Sequence, residues 1–496
     1  MGRRYSLETI IKKLKEYPFV EKMGFCQKYA TYIMEPSQLN FIEKTNAIYP
    51  WELEIFAEFS LFADANYATK SIKTDKESEF IKIINVIRNY QHPFLKARTN
   101  MDFANAFIMV TGLQQFKPQE NILDRLYRYN YFWNFINDKI NMPKVFTDNF
   151  QGLTYSNFLE LGVLIFFYAS LNYPTAKIIR YLVAKHKNVV DFLKIPREKY
   201  KKLQKQKIDD NFENTIYGFN YLRPYPFIEF QEHYFLPLPY LIIDSITDSL
   251  LTRVTYDNNS IRETIGKEVA QSYVETIFKE TSIYDEVLPE SEYYKGKIKF
   301  DTPDILIRKN SYFCLIDTKL STPKLELRKF NQQAVEKTVL QYAKYVIQVY
   351  NRVKDFYNGA FYPFTDTIKV EQNNSFGIVA LLEDSYISRR QIYEKVFNEL
   401  NIDSESDEAI YIKTHIKITN FRDLELFAFR SLDIFLALTK KAENPKEWND
   451  LGLYNEQMYE KQSCKKIQSI ENFTKINQTI IKKSIDELVL CSIIKK

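Results

Sequence analysis

Asp304, Asp317 and Lys319 are the residues whose types and spacing could do chemistry. Asp317-Thr318-Lys319 is the one place in the 496-residue chain where an acidic residue stands two positions before a lysine. It lies inside the apolar run from Phe313 to Leu320, where a charge is costly unless it is paired or bound to a metal. Upstream, Thr302-Pro303-Asp304-Ile305-Leu306-Ile307 sets another carboxylate in an apolar run. If Asn310-Ser311 forms a two-residue turn, Lys309 faces Tyr312 and Asp304 faces Asp317. Their Cβ atoms would then be roughly 5 Å apart on one sheet face, and alternation keeps Lys319 on that face. Opposed like charges destabilise a hairpin and call for a cation, and oxygen-only ligands suit Mg²⁺ or Mn²⁺. The reading without chemistry is a buried ion pair between Asp317 and Lys319. Asp301 is the other candidate for the first carboxylate.

These residues need a sheet to carry them, and the second half of the chain reads as one. Ser260-Ile261-Arg262-Glu263 has the form of a capping box, opening a helix to about Glu280. Two short apolar runs follow, Pro303 to Arg308 and Tyr312 to Leu320, and then a long helix from Asn331 to Tyr357. A strand over Ser375 to Leu382, a helix from Ser388, a strand over Ile410 to Ile418 and a helix from Asp423 complete a mixed α/β pattern. Residues 1–245 read as mainly helical, with apolar positions at helical spacing in Trp51 to Ala57 and Asn157 to Tyr168. Prolines 224, 226, 237 and 239 mark its end. The expected organisation is a helical region over 1–245, an α/β domain over 246–440 and a polar helical tail over 441–496.

Pro303-Asp304, twelve further residues and Asp317-Thr318-Lys319 resemble the signature of the PD-(D/E)xK nucleases. That family also carries an acidic residue on the helix before the hairpin. The segment Gly266 to Val274 is similar to that helix, with Glu268 as the match. Its RecB-like branch adds Gln-x-x-x-Tyr on the helix after the lysine, matched by Gln341 and Tyr345. The resemblance covers residues 260 to 440 and implies a restriction-endonuclease-like core. By that resemblance Asp304, Asp317, Glu268 and the Thr318 carbonyl hold one or two Mg²⁺ (or Mn²⁺) ions. Lys319 positions or deprotonates the attacking water, and Gln341, Tyr345 and Lys337 contact the substrate backbone. An exposed helix carboxylate remains the plain alternative for Glu268, as does ordinary helix packing for Gln341 and Tyr345.

Composition removes several other chemistries. There are 11 glycines and no two lie closer than ten positions, so neither a dinucleotide fingerprint nor a phosphate-binding glycine loop can be written. The four cysteines contain no Cys-x-x-Cys pair and the four histidines are isolated, which disfavours structural zinc, zinc hydrolysis and histidine-based acyl transfer. A net charge of +5 neither demands nor opposes a nucleic-acid partner. The densest basic run, Lys194 to Lys207, holds seven basic residues and is read as a solvated helix face or a phosphate-tracking patch. The aromatic stripe from Tyr127 to Trp133 is read as core packing in preference to base stacking. No segment is long and apolar enough to span a bilayer, so a cytoplasmic protein with no membrane partner is expected.

The expectation is a metal-dependent DNA endonuclease, with RNA left open as a substrate, acting in bacterial restriction or anti-phage defence. A homodimer or a partner defence protein is the expected assembly. The alternatives are a non-catalytic nucleic-acid-binding or assembly protein on a nuclease fold, and a repair or recombination nuclease.

Overall fold

The computed structural model describes residues 6–34, 48–63, 77–90, 109, 112, 121–171, 175–210, 218–328, 331–442, 467–491 and 493. The chain divides into two compact units, one formed by residues 1–99, 143–257 and 475–496 and the other by 100–142 and 258–474.

The first unit is mainly helical, as its periodicity predicts. Its core gathers Leu7, Leu14, Phe25, Phe56, Phe59 and Phe80. The helix Pro50–Phe62 is buried on nearly every side yet carries three glutamates. Each is matched by a cation: Glu52 by Arg88, Glu54 by Arg223 and Glu58 by Lys207. Such pairing is what makes a buried carboxylate tolerable. A small sheet of β1 (Lys194–Pro196), β2 (Phe227–Phe230) and β3 (His233–Phe235) is added to the helices. The basic run spans β1 and the helix Arg197–Asp210, and part of it is spent internally. Arg197 is buried with its guanidinium 4.1 Å from the Phe19 ring centroid, and Lys207 is buried against Glu58.

The boundary falls at residue 257, not 245. Helix Asp248–Thr255 belongs to the first unit because Arg253 donates hydrogen bonds to the carbonyls of Phe192 and Pro224. Residues 100–142 join the second unit through the aromatic stripe, which is core as expected. Helix Ile122–Asn134 sets Tyr127 and Phe132 against Tyr273, and Arg128 forms a buried ion pair with Glu425, which also accepts from Tyr273. The expected tail is divided as well. Residues 443–466 lie outside the described residues, and helix Gln468–Leu490 follows, with residues from 475 onward grouped in the first unit.

The second unit is a mixed α/β structure. Its strands are β4 (Glu286–Pro289), β5 (Glu292–Lys295), β6 (Ile298–Asp301), β7 (Ile305–Lys309), β8 (Tyr312–Lys319), β9 (Ser375–Leu381) and β10 (Ile416–Asn420). The main sheet has the order β10-β9-β8-β7-β4, with β4, β7 and β8 antiparallel and β8, β9 and β10 parallel. β5 and β6 form a separate hairpin. Alternation divides the residues of the main sheet. Leu306, Leu315, Gly377 and Ile416 stand in one cross-strand row, and the three apolar side chains of that row pack in the core around helix Gln332–Tyr357. Ile305, Ile307, Cys314 and Ile316 alternate to the opposite face and are fully buried there.

Two expected elements differ. The first helix is capped by Asn258, whose side chain accepts from the Ile261 N–H, and Ser260 lies inside it. The segment read as a strand from Ile410 is a helix, Asp407–His415, capped by Ser406, with β10 beginning only at Ile416. Ala409, Ile412 and Ile416 are buried at a spacing that a helix satisfies as well as a strand does.

Candidate active site

The site forms where β7 begins and β8 ends. The hairpin register pairs Lys309 with Tyr312 and Ile305 with Ile316, so Asp304 and Asp317 meet one step beyond the ladder. Asp317 and Lys319 pair with Val379 and Leu381 of β9, and both of those pack in the core around helix Gln332–Tyr357. The aspartates and the lysine therefore share the face that this helix covers.

Thr318 fixes Asp304. Its backbone N–H and its hydroxyl each donate to Asp304 Oδ2 at 2.6 Å. The N–H and C=O of a strand residue point to the same side, so the Thr318 carbonyl also faces the Asp304 side. Lys319 Nζ donates to Asp317 Oδ2 at 2.9 Å, and Asp317 is only 3% exposed. Among the described residues, Oδ1 of each aspartate accepts no protein hydrogen bond.

The electrostatics follow from this crowding. Burial, reinforced by the Asp317 carboxylate, pushes Asp304 up to about 7, against the opposing pull of Thr318 and Lys319. Burial works to lower Lys319, but the ion pair with Asp317 and the nearby Asp304 outweigh it and hold the ammonium above its ordinary range. The Lys319 ammonium also lies 5.3 Å from the centroid of the Tyr345 ring, so one member of the Gln-x-x-x-Tyr pair reaches the site directly. Gln341 donates to the Tyr345 hydroxyl from one helical turn earlier, and Lys337 lies exposed a turn before that.

Glu268 has its carboxylate taken up by partners other than the aspartates. It occupies a π-helical turn, Ile265–Ala270, where Gly266 lies close to Leu320. Its carboxylate binds Lys139 Nζ and Asn137 Nδ2, each at 2.9 Å, and forms no hydrogen bond with Asp304, Asp317 or Lys319. Asp301, the other candidate for the first carboxylate, is exposed at the end of β6 opposite Glu292.

Two contributors were not legible from the motif. Gln271, the first residue of helix Gln271–Thr281, donates from Nε2 to the Asp304 carbonyl at 3.1 Å. Glu290, just past β4, is raised by burial and by the carboxylates of Asp301 and Asp317, while Lys267 and Gln271 oppose the rise. The available signal was the apolar run Val287-Leu288 closed by Pro289, which has the character of a short edge strand.

Among the described residues no three His, Cys, Asp or Glu side chains already converge as an ion cage. The donor set nevertheless suits a hard divalent cation: two carboxylates on one sheet face, each with an oxygen to spare, and a carbonyl turned toward them. No helix among the described residues is long and apolar enough to cross a membrane. Searches of known protein families, curated proteins and solved structures find no match.

Proposed function

We propose that the second unit is a restriction-endonuclease-like nuclease domain and that the protein hydrolyses DNA phosphodiester bonds with Mg²⁺ or Mn²⁺. The observation that carries this reading is the meeting of Asp304 and Asp317 beside the Lys319 ammonium at one end of a mixed sheet. Asp304, Asp317 and the Thr318 carbonyl would hold the ion. A bound divalent ion supplies Lewis acidity toward the phosphate and a water acidic enough to react near neutral pH. Lys319, held charged by Asp317, orients that water or steadies charge growing on the phosphate oxygens. The water oxygen bonds to phosphorus as the bond to O3′ breaks, and the water's proton is balanced on the departing oxygen. The products are a 5′-phosphate and a 3′-hydroxyl. Gln341, Tyr345 and Lys337 lie at four-residue steps along one helix and suit contact with the backbone of the substrate. A role in bacterial restriction or anti-phage defence extends the same proposal.

The test is cleavage of plasmid and single-stranded DNA, with and without Mg²⁺, by wild type, Asp317→Ala and Lys319→Ala. Cleavage by wild type alone supports the reading, and equal cleavage by all three refutes the residue assignment. One observation favours the non-catalytic alternative, namely that the Asp317–Lys319 pair already satisfies both charges without an ion. On that alternative Mg²⁺ leaves the melting temperature unchanged, whereas a true site raises it by mass action.

A further inference from the structure

We infer that Glu290 is a third carboxylate of the ion site, delivered beside Asp304 by a β-bulge. This inference rests on the nuclease reading above.

The strand registers define the bulge. β4 and β7 pair through Pro289 and Ile305. Just beyond, Ser291 and Thr302 pair, with the Thr302 N–H donating to the Ser291 carbonyl at 2.8 Å and the Ser291 N–H to the Thr302 hydroxyl at 2.9 Å. Glu290 alone therefore lies opposite two residues, Pro303 and Asp304. One residue against two defines a bulge, a device that bends a strand and re-aims a side chain. Pro303, which has no N–H to offer a ladder, suits such a position. The Asp304 carbonyl accepts from Gln271 Nε2 in place of a strand partner.

The same registers align the carboxylates. Asp304 stands one step beyond Ile305 in both of its pairings, toward Glu290 on β4 and toward Asp317 on β8. Leu288, two residues before Glu290, packs in the core around helix Gln332–Tyr357, on the face that holds the two aspartates. Three adjacent chain segments thus bring Glu290, Asp304 and Asp317 to one end of the sheet. Gln271, at the start of helix Gln271–Thr281, donates to the Asp304 backbone at the same bulge. Glu290 is half-buried, and its flexible side chain has the reach to turn toward an ion held by the aspartates. Glu268 has less freedom, being engaged by Lys139 and Asn137.

The test is calorimetric titration of Mn²⁺ into full-length wild type, Glu290→Gln and, as a control, Glu292→Gln. Glu292 is an exposed neighbour paired with Lys299. Melting curves of the metal-free proteins verify that each is folded. The expected result is an Mn²⁺ affinity weakened at least about tenfold in Glu290→Gln and unchanged in Glu292→Gln. Wild-type affinity in Glu290→Gln overturns the role of Glu290 and leaves the nuclease reading standing. Absence of Mn²⁺ binding by wild type overturns both.

Discussion

The Asp304 carboxylate is tied to the neighbouring strand through Thr318, which gives it both a backbone N–H and a hydroxyl at 2.6 Å. The residue between the two motif positions is therefore a positioning residue. It holds the first carboxylate against the strand that carries the second and the lysine.

Thr318→Val keeps the shape and the backbone N–H but removes the hydroxyl. The loss of one hydrogen bond to a partly buried carboxylate is expected to cost about 1–2 kcal/mol of stability, read from urea denaturation. Mn²⁺ affinity should fall as well, because Asp304 loses half of its tether. A variant as stable as wild type would show that the backbone N–H alone positions the carboxylate.

Asp304 sets a pH dependence. In an unfolded chain its carboxyl titrates near about 3.9, whereas in the folded protein it is pushed up to about 7. Between those values the folded state holds a proton that the unfolded state has lost. The group's contribution is thus fully present below the unfolded value and is lost as pH rises toward the folded one. Metal-free Asp304→Asn should show a shallower fall in stability across that window than wild type. Denaturation midpoints measured from acid to neutral pH verify this, and identical slopes refute it.

Lys319→Met strands the buried Asp317 carboxylate without its cation. The expected cost is about 1–3 kcal/mol, scaled to a charged hydrogen bond whose lysine end is partly exposed. Mg²⁺ should restore part of that loss, since an ion replaces the missing positive charge. Melting temperatures with and without Mg²⁺ decide the matter.

Tyr345 tests the contact with the lysine. Tyr345→Phe keeps the ring beneath the ammonium and loses only the bond from Gln341, so cleavage should stay close to wild type. Tyr345→Leu removes the ring and an attraction of about 0.5–1 kcal/mol, and should lower cleavage severalfold. Equal rates for the two variants would deny the ring a part.

Gly377 tests the support under the site. A Cβ there would come within 2.5 Å of Val349 Cγ1 and 2.9 Å of Ile416 Cδ1, because helix Gln332–Tyr357 lies close on β9. Gly377→Ala is expected to destabilise by about 1–3 kcal/mol through overpacking. Unchanged stability would mean that the helix shifts freely on the sheet.

The hairpin carrying the site was legible in the sequence because its determinants are local. A two-residue turn between two continuous apolar runs sets the register of β7 and β8, and with it the meeting of Asp304 and Asp317. The long helix from Asn331 and the mixed strand–helix pattern were readable for the same reason, through a capping side chain and a sustained apolar period. The helix at Asp407 was misread because a short apolar run satisfies either period, whereas the signal for a helix lies just before it, in the Ser406 cap with Asp407 and Glu408 in the first turn. Glu290 and Gln271 could not be placed from sequence, since a bulge and a helix start become neighbours of Asp304 only when β4 pairs with β7. Membership of residues 100–142 in the second unit was equally hidden, since the buried Arg128–Glu425 pair joins positions 297 residues apart. Sequence alone determined which charges stand in an apolar hairpin and which of them face one another. Tertiary structure decided what surrounds them, because contacts between distant segments depend on how whole elements pack and leave no mark in local spacing.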